Sequence, residues 1–124
     1  MDENIPEDQR QLLRSWRVRT YQIGHELGRQ GMKDEPHIIP LLHRLPKPTF
    51  FTRDLGFYDR NLCHNGYCIV CLAVSQDEAA SFIRRFLRHS RFNSHAKRLG
   101  RVVLARQTGL RMWGPREEEP EIGW

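Results

Sequence analysis

Apolar positions along this chain change their spacing several times, and each change marks an element. Leu12, Leu13 and Trp16 form a helical stripe behind Pro6, which suits a first helical position because its missing N–H would go unpaired there anyway. Glu7 and Asp8 favour the positive end of that helix, placed over 6–16. VRTYQIG, 18–24, alternates enough for a strand. DEPHIIPLLHRL, 34–45, is helical in pattern, with Asp34 as candidate N-cap and Pro36 in the first turn. Pro40 removes a backbone donor beyond that turn, so a short or kinked helix is expected.

The second half is more strongly patterned. TFFT, 49–52, is a compact β-branched and aromatic strand that runs straight into Arg53 and Asp54. YCIVCLAV, 67–74, is nearly continuous in apolar residues, as for a strand covered on both faces. QDEAASFIRRFLRHSRF, 76–92, predicts an amphipathic helix with Phe82, Ile83, Phe86 and Leu87 inward. Arg84, Arg88 and Arg91 recur at i, i+4 and i+7 on its outer side. A short helix near 93–98 and a strand near 101–106 follow. GPREEEPEIGW, 114–124, reads as an acidic, flexible tail. The sequence holds no internal repeat. Strands alternating with helices imply an α/β fold of three layers with a mainly parallel sheet. The expected organisation is one domain over 1–113 followed by the tail.

Length agrees with that division, since 124 residues support one core without metal or disulfide staples. No apolar run reaches membrane-spanning length and nothing resembles a signal peptide, so the expectation is a cytoplasmic protein without membrane contact. Charge changes the picture more. The net +5 is uneven: no acidic residue lies between Glu78 and Glu117, a stretch with ten Lys or Arg. The first 62 residues nearly balance, ten basic against nine acidic. Such one-signed stretches suit a polyanion, because neutralised phosphates release counterions, and they also occur as plain solvated surface.

Cys63, Cys68 and Cys71 are odd in number and close together, which argues against a secreted disulfide framework. The CxxC spacing of Cys68 and Cys71, with His64 nearby, raises zinc. On a strand, however, residues i and i+3 face opposite ways, so buried structural thiols are the favoured reading. The histidines form no nucleophile motif, although His64 could touch a phosphate.

Carboxylates give the chain its candidate chemistry. Asp54 directly follows a strand and Asp59 lies in the next loop; Asp34 and Glu35 open a helix after the strand at 18–24. Asp2 and Glu3 stand just before the first helix. In open parallel sheets such strand-to-helix junctions share one end of the sheet. Clustered carboxylates repel, and hard divalent cations relieve that repulsion. Taken singly, Asp34 is a plain N-cap, Asp59 a loop former and Asp2 a chain end; Asp54 is the hardest to dismiss.

DENIP, KDEPHI and FFTRDLGFYD together resemble the three acidic motifs of the PIN-like nucleases, in particular the small VapC-like toxin ribonucleases. The resemblance spans roughly 2–106, in the same order and at similar separations. It implies a Mg2+- or Mn2+-dependent endoribonuclease acting on RNA, inhibited by a cognate antitoxin protein and able to form a homodimer. It carries over Asp2, Asp34, Glu35, Asp54 and Asp59 as catalytic acids, with Asp2, Asp34, Asp54 and Asp59 as metal ligands. Asn4 and Thr52 would support them. Arg84, Arg88, Arg91, Lys97 and Arg98 would hold the RNA backbone, with Arg53 nearer the cleavage point. Two features depart from the pattern. The family's first strand, which precedes the DEN motif, is missing or truncated ahead of Asp2, and Gly56 stands where many relatives carry a second acid. A catalytically impaired nucleic-acid- or antitoxin-binding relative is the alternative, and a protein-interaction module using the arginine helix a third.

Overall fold

The computed structural model describes residues 5–17, 35–114 and 121–124. The expected strand at 18–24, and Asp2, Asn4 and Asp34, lie outside the described residues. Within them the order is α1 (Glu7–Ser15), α2 (Glu35–Arg44), β1 (Thr49–Thr52), β2 (Cys68–Leu72), α3 (Ala79–Arg88), α4 (His95–Arg98), β3 (Val102–Arg106) and β4 (Gly109–Trp113). The four strands form one open sheet in the order β1-β2-β3-β4. β1, β2 and β3 run parallel, with Thr49 opposite Cys68 and Ile69 opposite Val102. β4 returns antiparallel to β3, pairing Arg106 with Gly109 and Val102 with Trp113. The fold is therefore α/β with a mostly parallel sheet. No helix among the described residues is long and apolar enough to cross a membrane.

Strand alternation divides the core in two. Phe51, Cys68, Val70, Leu72, Val103 and Ala105 face Leu13 of α1 and Phe82, Ile83 and Phe86 of α3. Phe50, Ile69, Cys71 and Val102 face Ile38 and Leu42 of α2, together with Phe57 and Leu62 from the β1–β2 connection. All five residues of β2 are buried, as its continuous apolar run requires. Gln9 joins the two helices of the first face: its Oε1 accepts from the backbone N–H of Ala80 at 2.9 Å. That satisfies one of the amides that the start of α3 would otherwise bury unpaired.

Four sequence expectations change. The amphipathic segment 76–92 is a single 3-10 turn at Gln76–Glu78 followed by α3, which ends at Arg88. Arg91 therefore lies beyond the helix in the turn that follows. α2 runs ten residues with Pro40 inside it, held by the buried Ile38 and Leu42 on either side. β4 was not expected at all, and Gln107-Thr108 forms the tight turn leading into it. The chain end, expected as a flexible tail, brings residues 121–124 back to the sheet, where Ile122 bridges Leu110.

Candidate functional site

The carboxyl ends of the parallel strands gather the polar groups. β1 ends at Thr52, a fully buried threonine whose Oγ1 accepts from the backbone N–H of Asp54 at 2.9 Å. The Asp54 Oδ1 in turn accepts from Gly56 N–H at 2.9 Å, closing a 3-10 turn over Leu55–Phe57. A rigid strand and a two-bond turn thus fix this exposed carboxylate. Gly56 is part of that geometry, because a Cβ there would lie 3.1 Å from Asp54 Oδ1 and crowd the carboxylate. Five residues on, Asp59 repeats the device: its Oδ1 accepts from Asn61 N–H at 2.8 Å and starts a second 3-10 turn over Arg60–Leu62.

Arg53 and Leu55, on either side of Asp54 in the chain, line a shallow, open depression together with Leu72, Ala73, Val74, Ser75 and Gln107. It opens at the end of the sheet where βαβ folds place ligands. Arg53 crosses to it from β1, donating from Nε to the Val74 carbonyl at 3.2 Å. Glu78 adds an acid that the sequence reading passed over. Its Oε1 accepts from Ser75 Oγ at 2.8 Å, and its two oxygens accept from Gln107 Nε2 at 3.2 and 3.0 Å. The available signal was its position: SQDE follows the strand at 67–74 as TRD follows the strand at 49–52.

The other acids stand differently. Asp2 and Asp34 lie outside the described residues. Glu35 opens α2, and its side chain is likewise outside them. No group of three or more His, Cys, Asp or Glu side chains converges among the described residues. Asp54 and Asp59 thus contribute carboxylates on one connection, each already bound to a local backbone N–H. Among the described residues, then, no set of carboxylates is assembled that would by itself supply the several oxygen ligands a hard cation takes. No family model, curated protein or solved structure matches this chain.

The basic residues divide between surface and scaffold. Arg88 and Arg91 are exposed. Arg84 stacks its guanidinium on the Trp16 ring at 4.5 Å, tying α3 to the end of α1. Lys97 Nζ donates to Ser90 O at 2.8 Å and to Asn93 Oδ1 at 3.0 Å. Arg98 corrects the expectation of a phosphate contact. It is buried, donating from Nε to Thr49 Oγ1 at 3.0 Å and from Nη1 to Phe92 O at 2.8 Å. Burial also lowers its pKa from the ordinary arginine value. It serves the start of β1, at the opposite end of the sheet from Asp54.

The cysteines occupy separate sites. Cys68 belongs to the core beneath α1 and α3, Cys71 to the core beneath α2, as a strand spacing of three requires. Burial pushes the Cys68 thiol up to about 12. Burial raises Cys71 as well, with the negative charge of Asp54 adding to it. Cys63 is raised by burial too, and its Sγ–H donates toward the Gly114 carbonyl at 3.4 Å. These are neutral packing thiols.

Proposed function

We propose that this chain is a PIN-like, Mg2+- or Mn2+-dependent endoribonuclease of the VapC-like toxin type. The observation that carries the reading is Asp54: the TRD motif closes β1 in a mostly parallel sheet and presents a fixed, exposed carboxylate between Arg53 and Leu55, two residues that line an open depression at that end of the sheet. Asp54 would hold the cation, with Asp59 from the same connection and Asp2, Asp34 and Glu35 as the remaining acids. A bound Mg2+ or Mn2+ would supply a water of lowered pKa and positive charge for an attacked phosphodiester. Thr52 fixes the Asp54 backbone, and Arg53 places a guanidinium on the wall of that depression where a phosphate would lie. Arg88 and Arg91 supply exposed charge for the RNA backbone. A cognate antitoxin would act by covering this end of the sheet.

A non-catalytic relative that binds nucleic acid or an antitoxin is the second reading. It is favoured by one specific feature: Asp54 and Asp59 each cap a local turn, a role that accounts for both without a cation. Manganese separates the two. Under the nuclease reading, Mn2+ raises the melting temperature of the wild type more than that of Asp54→Asn. Equal shifts in the two proteins would contradict it.

A further inference from the structure

Gln107 opens the turn between β3 and β4 and lines the depression at the carboxyl ends of the parallel strands. Its Nε2 donates to both carboxylate oxygens of Glu78, at 3.2 and 3.0 Å. A carboxylate only accepts, so the amide nitrogen must face Glu78 and Oε1 must face away from it. Glu78 is itself held, since Ser75 Oγ donates to its Oε1 at 2.8 Å. Gln107 Oε1 meets no donor among the described residues. The depression thus carries an acceptor whose direction is set by the acid behind it. Leu55, on the same depression, is 50% exposed at the start of its 3-10 turn and offers apolar surface. Arg53 adds a guanidinium to the wall.

Apolar surface, one oriented acceptor and one cation match the three parts of a nucleotide: ring, base edge and phosphate. We propose that this depression seats a nucleobase with an exocyclic amino group, adenine or cytosine, which donates to Gln107 Oε1. The proposal rests on the RNA reading given above and names the base that the strand would carry beside Asp54. An unrestrained glutamine takes adenine through N6 and N7 together. With Nε2 engaged by Glu78, only the acceptor is left, and the amino group of cytosine serves it equally. Hypoxanthine and uracil have a carbonyl where adenine and cytosine have the amino group. An oxo group there sets two acceptors against each other, and neither is satisfied. Without Glu78 the amide would turn by half a rotation and present N–H instead. Gln107 is therefore the specificity-determining residue, and Glu78 a positioning residue.

The test titrates the 5′-monophosphates of adenosine, inosine, cytidine and uridine separately into the full chain without metal. Binding is followed by NMR at the Gln107 side-chain amide and the Leu55 methyl groups. The adenosine and cytidine nucleotides are expected to bind about fivefold more tightly than their oxo counterparts. Glu78→Gln, which lets the amide turn, should bring both ratios close to one. Leu55→Ala should weaken all four nucleotides alike. Equal affinity within each pair overturns the proposal, as does the absence of any shift at Gln107 and Leu55 with all four. So does a ratio that survives Glu78→Gln in a variant with the wild-type circular dichroism spectrum. Should Glu78→Gln not fold, Gln107→Ala in its exposed turn decides, and a preference retained there rejects the assignment. No metal and no cleavage enter the readout, so a failed nuclease assay and a failed titration remain separate results.

Discussion

The two faces of the sheet are covered by different kinds of chain. One lies beneath α1 and α3, regular helices whose apolar stripes meet Phe51, Val70 and Val103. The other lies beneath α2 and the β1–β2 connection, where two single 3-10 turns deliver Phe57 and Leu62. A helix can bury a stripe but spends its own amides internally. The turns leave amides to be bonded by side chains, and Asp54 and Asp59 do so. The helical face holds the fold, and the irregular face carries the candidate chemistry.

The largest expected effect tests that division in the core. Phe86 is fully buried on the helical face, stacked on Phe92 at 4.7 Å and edge-on to Phe51 at 5.8 Å. Phe86→Ala should cost about 4 kcal/mol in urea unfolding. Phe57→Ala should cost about 3 kcal/mol, because a short connection can collapse into the space more readily than a helix between two layers. Equal or reversed costs would break the comparison.

Alkaline pH probes both faces together through Cys68 and Cys71. Their pKa values are higher folded than unfolded, so the protonated thiols stabilise the fold fully below about pH 9 and that contribution is lost as pH rises toward about 12. Stability measured by denaturation should show no cysteine-linked slope at neutral pH and should fall over that alkaline window. Substituting Cys68 by Ala should flatten the slope.

A smaller effect is expected at Arg98. Arg98→Met should destabilise by about 2 kcal/mol, since Thr49 Oγ1 and Phe92 O lose their donor. The salt dependence of RNA binding should stay the same. A reduced salt slope would return Arg98 to the phosphate contacts from which its burial removes it. The smallest effect sharpens the other side. Asp54→Asn keeps an oxygen for Gly56 N–H, so its stability should stay within about 0.5 kcal/mol of the wild type.

Legibility followed the same line between regular and irregular chain. The strands at 49–52 and 68–72 and the helix over Phe82–Phe86 announce themselves through period and apolar content. β4 does not: GLRMW alternates Leu110 and Met112 inward with Arg111 and Trp113, but RQTG lacks the Asn-Gly or Asp-Gly turn that would flag a hairpin. The return of Ile122 and Trp124 is set by a groove assembled from Gly109, Phe82, Arg85 and His89, which no local window contains. At the candidate site, Asp54 was legible because a strand precedes it. Its turn with Gly56, and Glu78 held by Ser75 and Gln107, depend on neighbours brought together only by the sheet. Arg98 was misread for the opposite reason, since sequence gives its charge but not its direction.

Cleavage of single-stranded RNA with Mn2+, compared between the wild type and Asp54→Asn, tests the central claim most directly. The substitution preserves the turn and removes the charge a cation needs. The expected result is manganese-dependent cleavage by the wild type, none by Asp54→Asn, and closely similar RNA binding by both. Cleavage by Asp54→Asn at the wild-type rate, or none by a folded wild type, would contradict the assignment of Asp54 to a metal-dependent nuclease site.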